Sequence, residues 1–295
     1  MPSMNPTSVG KRMPGQARAA AVLATLALVG CEGRVTMDLG TNVPADPTIA
    51  QVLVDLDGVE LQGGGGESLR FDAPVQVDLV ELGGGNLFRL FTDEDISDGH
   101  YTGVRLLFSS DDEDRNDDIV VLTDNEEFPL TVVEGDAAAV DFTVDKNKSS
   151  RDDIVLTLDL RQSLSYRRDR RDYTLTPLVR AARVENTGQI SGTVTTGCPA
   201  GSSIVEGGAV YLFNEGVTPD DRGSAGAAPY LTTAITTFAT GVPSYTLSYI
   251  PAGTYTIAMT CDGNRDDPAT DDDIRFQEIT NVRVRAEETV THNFD

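Results

Sequence analysis

The sequence predicts an all-β protein, two antiparallel β-sandwich domains in tandem, and three observations lead there. Apolar residues recur with period two in stretch after stretch, and clusters of glycine or acidic residues separate those stretches. Beyond residue 30, no window sustains a 3.6-residue apolar period over an ordinary helix length. The chain has 295 residues, 39% of them hydrophobic, which is enough for two buried cores. Its 47 Asp and Glu against 23 Lys and Arg give a formal charge of -24, the wrong sign for a protein that tracks nucleic-acid phosphates. With two histidines, three cysteines and no tryptophan, it is short of the usual ligands for zinc, haem or iron-sulfur centres.

The first element is a leader. Lys11, Arg12 and Arg18 precede an apolar run from Ala19 to Gly30, about twelve residues against the roughly twenty needed to cross a bilayer as a helix. The run ends Leu28-Val29-Gly30-Cys31, which resembles the bacterial lipobox. That resemblance implies a signal peptide over residues 1–30, cleavage before Cys31, and acylation of its thiol. The mature chain would keep 20 basic residues against 47 acidic ones, a net charge of -27, so anchorage would rest on the acyl chains (about 0.8 kcal/mol per buried methylene) and not on a basic patch. An aspartate after the cysteine favours inner-membrane retention in enteric bacteria. Glu32 stands there instead and points to an outer-membrane lipoprotein, periplasmic or surface-exposed.

Residues 31–48, polar and carrying Pro44 and Pro47, read as the acylated cysteine and a flexible tether. A first β-sandwich domain follows over 49–187. Val52, Val54 and Leu56 alternate with Leu53, Asp55 and Asp57, and the same pattern returns at Val75–Leu79, Val104–Phe108, Val140–Val144 and Ile154–Leu160. The intervening turns are Gly63–Gly66, Gly83–Gly85, Asp111–Asp118 and Lys146–Asp153. Neither glycine run ends in Gly-Lys-Ser/Thr or opens a helix, so both read as hairpin turns and not as phosphate loops. Asn186-Thr187-Gly188 marks the boundary. The second domain, 188–295, opens with Gln189–Val194 and continues through strands at Ala209–Phe213, Tyr245–Tyr249, Tyr255–Cys261, Asn281–Arg285 and Thr289–Phe294. Both domains carry Gly-X-Tyr-Thr at the start of a strand, at Gly99–Thr102 and Gly253–Thr256. The second follows Tyr249-Ile250-Pro251 and is similar to a tyrosine corner.

Four segments carry a further resemblance: Val77-Asp-Leu-Val80, Asp98-Gly-His-Tyr-Thr-Gly-Val-Arg-Leu106, Leu158-Asp-Leu-Arg-Gln-Ser163 and Tyr173-Thr-Leu-Thr-Pro177. Through them residues 33 to about 185 resemble the bacterial lipoprotein domain-of-unknown-function family 4382, which implies an envelope β domain and no known activity. Residues 188–295 resemble the carboxypeptidase-regulatory or prealbumin-like sandwich through Gly188-Gln-Ile-Ser-Gly-Thr-Val194 and Pro251-Ala-Gly-Thr-Tyr-Thr256.

No catalytic residues are expected. His100 and His292 lie in different domains, and no serine sits in a Gly-X-Ser-X-Gly elbow. Carboxylates are plentiful but occur in runs, such as Asp93–Asp95 and Asp111–Asp114, where solvation is the ordinary state. The basic concentration Arg167, Arg168, Arg170 and Arg171 has two readings: an anion site that meets phosphate bidentately, or a local counterweight to acidic loops. Once Cys31 is acylated, Cys198 and Cys261 remain, an even count in an oxidising compartment, and they are expected to form a disulfide.

Directly after Cys261 comes an acidic loop. Counting Asp262 as position one, oxygen side chains fall at one, three, five, nine and twelve: Asp262, Asn264, Asp266, Thr270 and Asp273. This is the oxygen spacing of a calcium loop, although Asp267 replaces the usual glycine and strands replace the flanking helices. A calcium-stabilised connection is the expectation. The function expected is a non-enzymatic, lipid-anchored envelope protein with a binding or structural role. Its partners would be the membrane, through the acyl chains, and an envelope glycan or protein. The alternatives are a calcium-dependent glycan-binding or adhesive module and, behind it, a carboxylate-based hydrolase.

Overall fold

The computed structural model describes residues 33–63, 68–109, 118–145, 151–237 and 241–295, and in it the alternating stretches become strands. Cys31 and the leader lie outside the described residues. Among these residues the first module has twelve strands. They are β1 (Gly33–Thr41), β2 (Ile49–Gly63), β3 (Leu69–Asp78), β4 (Phe88–Ile96), β5 (Gly99–Phe108), β6 (Ile119–Leu122), β7 (Glu127–Val132), β8 (Ala138–Val144), β9 (Arg151–Leu158), β10 (Leu164–Arg167), β11 (Asp172–Leu175) and β12 (Val179–Arg183). The second has eight: β13 (Thr187–Thr193), β14 (Ala209–Asn214), β15 (Leu231–Ala234), β16 (Thr236–Thr237), β17 (Pro243–Pro251), β18 (Gly253–Thr260), β19 (Phe276–Val284) and β20 (Thr289–Thr291).

In the first module, a sheet of order β12-β9-β1-β4 faces one of order β10-β11-β7-β6-β2-β5-β8, with β3 added to β2. Their inward residues meet in one core: Val35, Met37 and Leu39 of β1, Val52, Val54 and Leu56 of β2, and Ile154, Leu156 and Leu158 of β9 are all at most 1% exposed. Each such side chain contributes roughly 1.5–3 kcal/mol on leaving water. The second module pairs β16-β17-β13-β20 with β15-β14-β18-β19 around a separate core that includes Ile190, Leu212, Leu247, Ile257 and Phe294.

One expectation needs correction. Residues 33–41 are no tether: β1 lies inside its sheet, parallel to β9 and antiparallel to β4. Its apolar residues Val35, Met37 and Leu39 do alternate, but the intervening Thr36 and Asp38 make the stretch look polar. They are buried too, because the other face is also covered, and Asp38 accepts a hydrogen bond from Arg89 Nε at 2.5 Å. The all-β class holds and the sheets are mostly antiparallel, with β1–β9, β7–β11 and β13–β20 paired in parallel. Parallel neighbours need long crossovers, and nothing in a period-two pattern reveals which strands a crossover will join.

Both Gly-X-Tyr-Thr motifs make the same contact. Tyr101 Oη donates to Ser97 O and Tyr255 Oη to Pro251 O, each at 2.9 Å, so a tyrosine corner occurs in both modules. Burial pushes the Tyr255 phenol up to about 12, so it stays a donor at any physiological pH.

The described residues from Gly33 to Asp295 fold into one unit, not two beads on a linker. Only the short turn Val184–Asn186 separates β12 from β13.

Candidate functional site

The joint between the modules is built from a segment whose role could not be read from sequence. Just after β9, Asp159 is 1% exposed, and its carboxylate is fully engaged. It accepts from Asn42 Nδ2 (2.6 Å), Gln162 Nε2 (2.6 Å) and, across the joint, from Thr232 N (2.8 Å) and Thr232 Oγ1 (2.9 Å). Asn42 completes the ring by donating to Thr232 O at 2.8 Å and accepting from Leu160 N at 2.7 Å. Two residues on, the buried Arg161 crosses in the same direction, donating to Gly263 O at 2.8 Å. A Cβ on Gly263 would stand 2.7 Å from Arg161 Nη2 and from the Ala209 Cβ, so only glycine lets that guanidinium in. Arg180 of β12 makes a third crossing. Its guanidinium lies 4.4 Å from the Tyr230 ring centroid, and it donates to the carbonyls of Tyr230 and Pro229. Burial lowers its pKa, against the field of Asp159.

Beside this joint opens a polar cleft of about 690 Å³ between Asp152 and Arg183 on one side and Gln189, Tyr249 and Glu287 on the other. Arg183 Nη2 contacts both Asp152 Oδ1 and Glu185 Oε1 at 2.7 Å. Burial nonetheless raises the Asp152 carboxyl above its ordinary value, with Arg183 opposing.

The second concentration of polar groups lies on the outer face of β14. That strand is buried on both faces, because the loops around 215–230 and 262–275 fold over Tyr211 and Phe213. Phe276 packs edge-on against both rings, at 5.1 Å and 5.7 Å. Three carboxylates from those two loops converge there: one oxygen each from Asp221, Asp266 and Asp272 lie within 4.8 Å of one another. Asp266 Oδ2 accepts from Tyr211 Oη at 2.5 Å, and Asp221 Oδ2 accepts from Asp272 N at 3.3 Å. The Asp266 carboxyl is pushed up to about 6, by burial first and then by the charges of Asp221 and Asp272, while Tyr211 and Arg161 pull the other way. Burial raises Asp221 as well.

This is a different set from the one the loop spacing suggested. Of Asp262, Asn264, Asp266, Thr270 and Asp273, only Asp266 joins the cluster. Asn264, Thr270 and Asp273 are exposed, although Thr270 Oγ1 donates to Asp272 Oδ2 at 3.0 Å. Asp262 is buried but committed elsewhere, accepting from Ser202 Oγ at 2.8 Å and Arg275 Nε at 3.0 Å. Burial works against its charge, yet Arg275 and Ser202 outweigh it and hold the carboxyl below its ordinary value. A twelve-residue calcium loop needs its central glycine to wrap around the ion. Without it, a single 3-10 turn at Gly263–Arg265 sends the side chains apart.

Cys198 and Cys261 form a disulfide with Cα atoms 5.7 Å apart, tying the segment after β13 to the end of β18. The arginine cluster is largely occupied within its own module. Arg167 binds Asp172 bidentately at 2.7 and 2.6 Å, Arg171 reaches Glu126 at 2.7 Å, and Arg170 lies 3.9 Å from Asp169, while Arg168 is exposed. His100 contacts Asp141 at 2.8 Å, and His292, whose pKa burial lowers, packs edge-on against Phe294.

Against this geometry, the family described as Domain of unknown function (DUF4382) matches residues 32–177. The match runs from the start of β1 through the joint residues Asp159 and Arg161 and ends at the proline after β11. No curated protein sequence matches the chain. Among solved structures, the chain is similar to the Bacillus anthracis TIE protein at 11% identity, covering 88% of this chain and 33% of that one, with a TM-score of 0.21. A fimbrial protein from Bacteroides ovatus gives 10% identity, 90% and 49% coverage and a TM-score of 0.21. The fimbrial anchor protein Mfa2 from Porphyromonas gingivalis gives 11%, 79% and 80%, and 0.20. The chain thus spans about a third and about half of the first two. TM-scores this low define no shared fold.

Proposed function

We propose that the protein is a non-enzymatic, lipid-anchored component of a bacterial cell envelope, and that its two β modules act as one stiff body in a structural or binding role. The joint carries this reading. A protein that must hold a surface at a set distance from a membrane gains from modules that do not swing, and modules that move freely meet through wet, weakly packed surfaces. Here Asp159, Asn42, Thr232 and Arg161 are buried or engaged in buried hydrogen bonds. The disulfide agrees with an oxidising compartment. Acyl chains on Cys31 would supply the membrane contact, and a surface this acidic argues against nucleic acid as a partner.

The test is metabolic labelling with palmitate, followed by separation of the membranes. The expected result is label on the unaltered chain in the outer-membrane fraction and none on Cys31→Ser. An unlabelled native chain would overturn the anchorage.

A second reading, an adhesive or glycan-binding module, draws on the cleft beside the joint, whose size and polar lining suit a short saccharide. A glycan array that retains the native chain and loses Tyr249→Ala would favour it. For the hydrolase alternative, the cleft's Asp152 and Glu185 share one guanidinium instead of flanking a vacant reaction centre.

A further inference from the structure

We propose that Asp221, Asp266 and Asp272 form a calcium site that clamps the two covering loops of the second module together beside the joint.

Proximity of carboxylates alone would not carry this, since acidic groups often cluster at surfaces where water screens them. Two of these three carboxylates are not at a surface, and the third, Asp272, is half-buried. Asp221 is 0% exposed and Asp266 5% exposed. Each commits one oxygen to a hydrogen bond, Asp221 Oδ2 with the Asp272 amide and Asp266 Oδ2 with the Tyr211 hydroxyl. The other oxygen of each, Asp221 Oδ1 and Asp266 Oδ1, is buried with no hydrogen-bond partner. Buried carboxylate oxygens are rarely left so, because an unsatisfied charged acceptor keeps its full desolvation cost. Two such orphans in one cluster, with a third carboxylate in reach, call for a shared cation.

The backbone supports the same conclusion. The two loops are pressed together despite their like charge: a Cβ on Gly223 would stand 1.5 Å from Thr270 O, so the chains touch main chain to main chain. Arg161 enters from the first module to bond Gly263 O, and its field reaches Asp266. One guanidinium cannot balance three carboxylates.

The donors select the ion. All three are hard oxygens, which disfavours zinc and the softer metals. Two calcium–oxygen bonds of about 2.3–2.6 Å span roughly 4.6–5.2 Å, which accommodates ligand atoms as far apart as 4.8 Å. Magnesium, at about 2.0–2.1 Å, demands near-octahedral geometry and keeps most of its water, so three protein carboxylates suit it less. Three carboxylates leave several of calcium's six to eight positions for water or backbone carbonyls.

The purified full chain, stripped with chelator, is titrated with calcium chloride and separately with magnesium chloride in a calorimeter, and its thermal unfolding is followed in calcium and in chelator. The expected result is one calcium bound per chain, with a melting midpoint raised by about 5 °C at saturation and a weaker response to magnesium. The variant Asp221→Asn/Asp266→Asn should lose the calcium response. In chelator it should melt no lower than the native chain, because it removes repulsion, and that result shows the variant is folded. Asp273→Asn, in an exposed residue of the loop-spacing set, should bind calcium as the native chain does. Equal native midpoints in calcium and chelator, or a folded double variant that still responds, would overturn the site. So would loss of binding in Asp273→Asn alone, which would return the ion to the spacing-defined loop.

Discussion

Asp159 shows how much one side chain can decide. It lies in Leu158-Asp-Leu-Arg-Gln-Ser163, where an acidic residue after an apolar strand would ordinarily be solvated. In the fold it satisfies donors from Asn42, Gln162 and Thr232, three segments remote from or beyond its own strand. Asp159→Ala would leave the Thr232 amide and the Asn42 amide group without this partner in a buried joint. The expected cost is about 3 kcal/mol, read as a shift in the urea midpoint at constant slope. Asp159→Asn should cost less, because it keeps one acceptor oxygen. If the alanine variant unfolded at the native midpoint, the joint would not be the stabilising contact described. The tyrosine corners act at the same scale but were partly legible, since a Gly-X-Tyr-Thr pair at strand entry is a local pattern with a local hydrogen bond.

Among elements, the most instructive is β1. Three apolar residues between polar ones, followed by two prolines, resemble a tether, yet this strand sits in the middle of its sheet. Its outward face is buried too, and buried polar residues erase the contrast on which alternation depends. The short strands β6 and β10, four residues each, also fall below what periodicity resolves. The disulfide was readable, by contrast, because it follows from parity and compartment and not from packing. It closes a segment of 63 residues in sequence separation. Cys198→Ser/Cys261→Ser should therefore lose about 4 kcal/mol by loop-closure entropy. Denaturant unfolding of the variant and the oxidised native chain measures this directly, and matching midpoints would contradict it.

For the whole molecule, the question is whether two modules unfold as one. Among the described residues, the bonds of Asp159 and Asn42 to Thr232, of Arg161 to Gly263, and the stacking of Arg180 on Tyr230 join them. A single calorimetric transition is expected for the native chain, with calorimetric and van't Hoff enthalpies in agreement. Asp159→Ala/Arg180→Ala should separate it into two transitions, one for each core. Two resolved transitions in the native chain would mean that the joint does not couple the modules.

Local chemistry in the sequence was sufficient for the β class, for the cysteine pair and for an acidic loop near the end of the chain. Each depends on neighbours in sequence or on a count. The joint, the place of β1 and the membership of the carboxylate cluster were decided only by the tertiary structure. Asp221 lies 45 residues before Asp266, on a different loop, and no spacing rule links them. Asp262 fitted the spacing and was drawn off by Arg275. Ligand sets and joints depend on which segments the crossovers bring together, and the long-range burial that fixes those crossovers leaves no periodic trace along the chain.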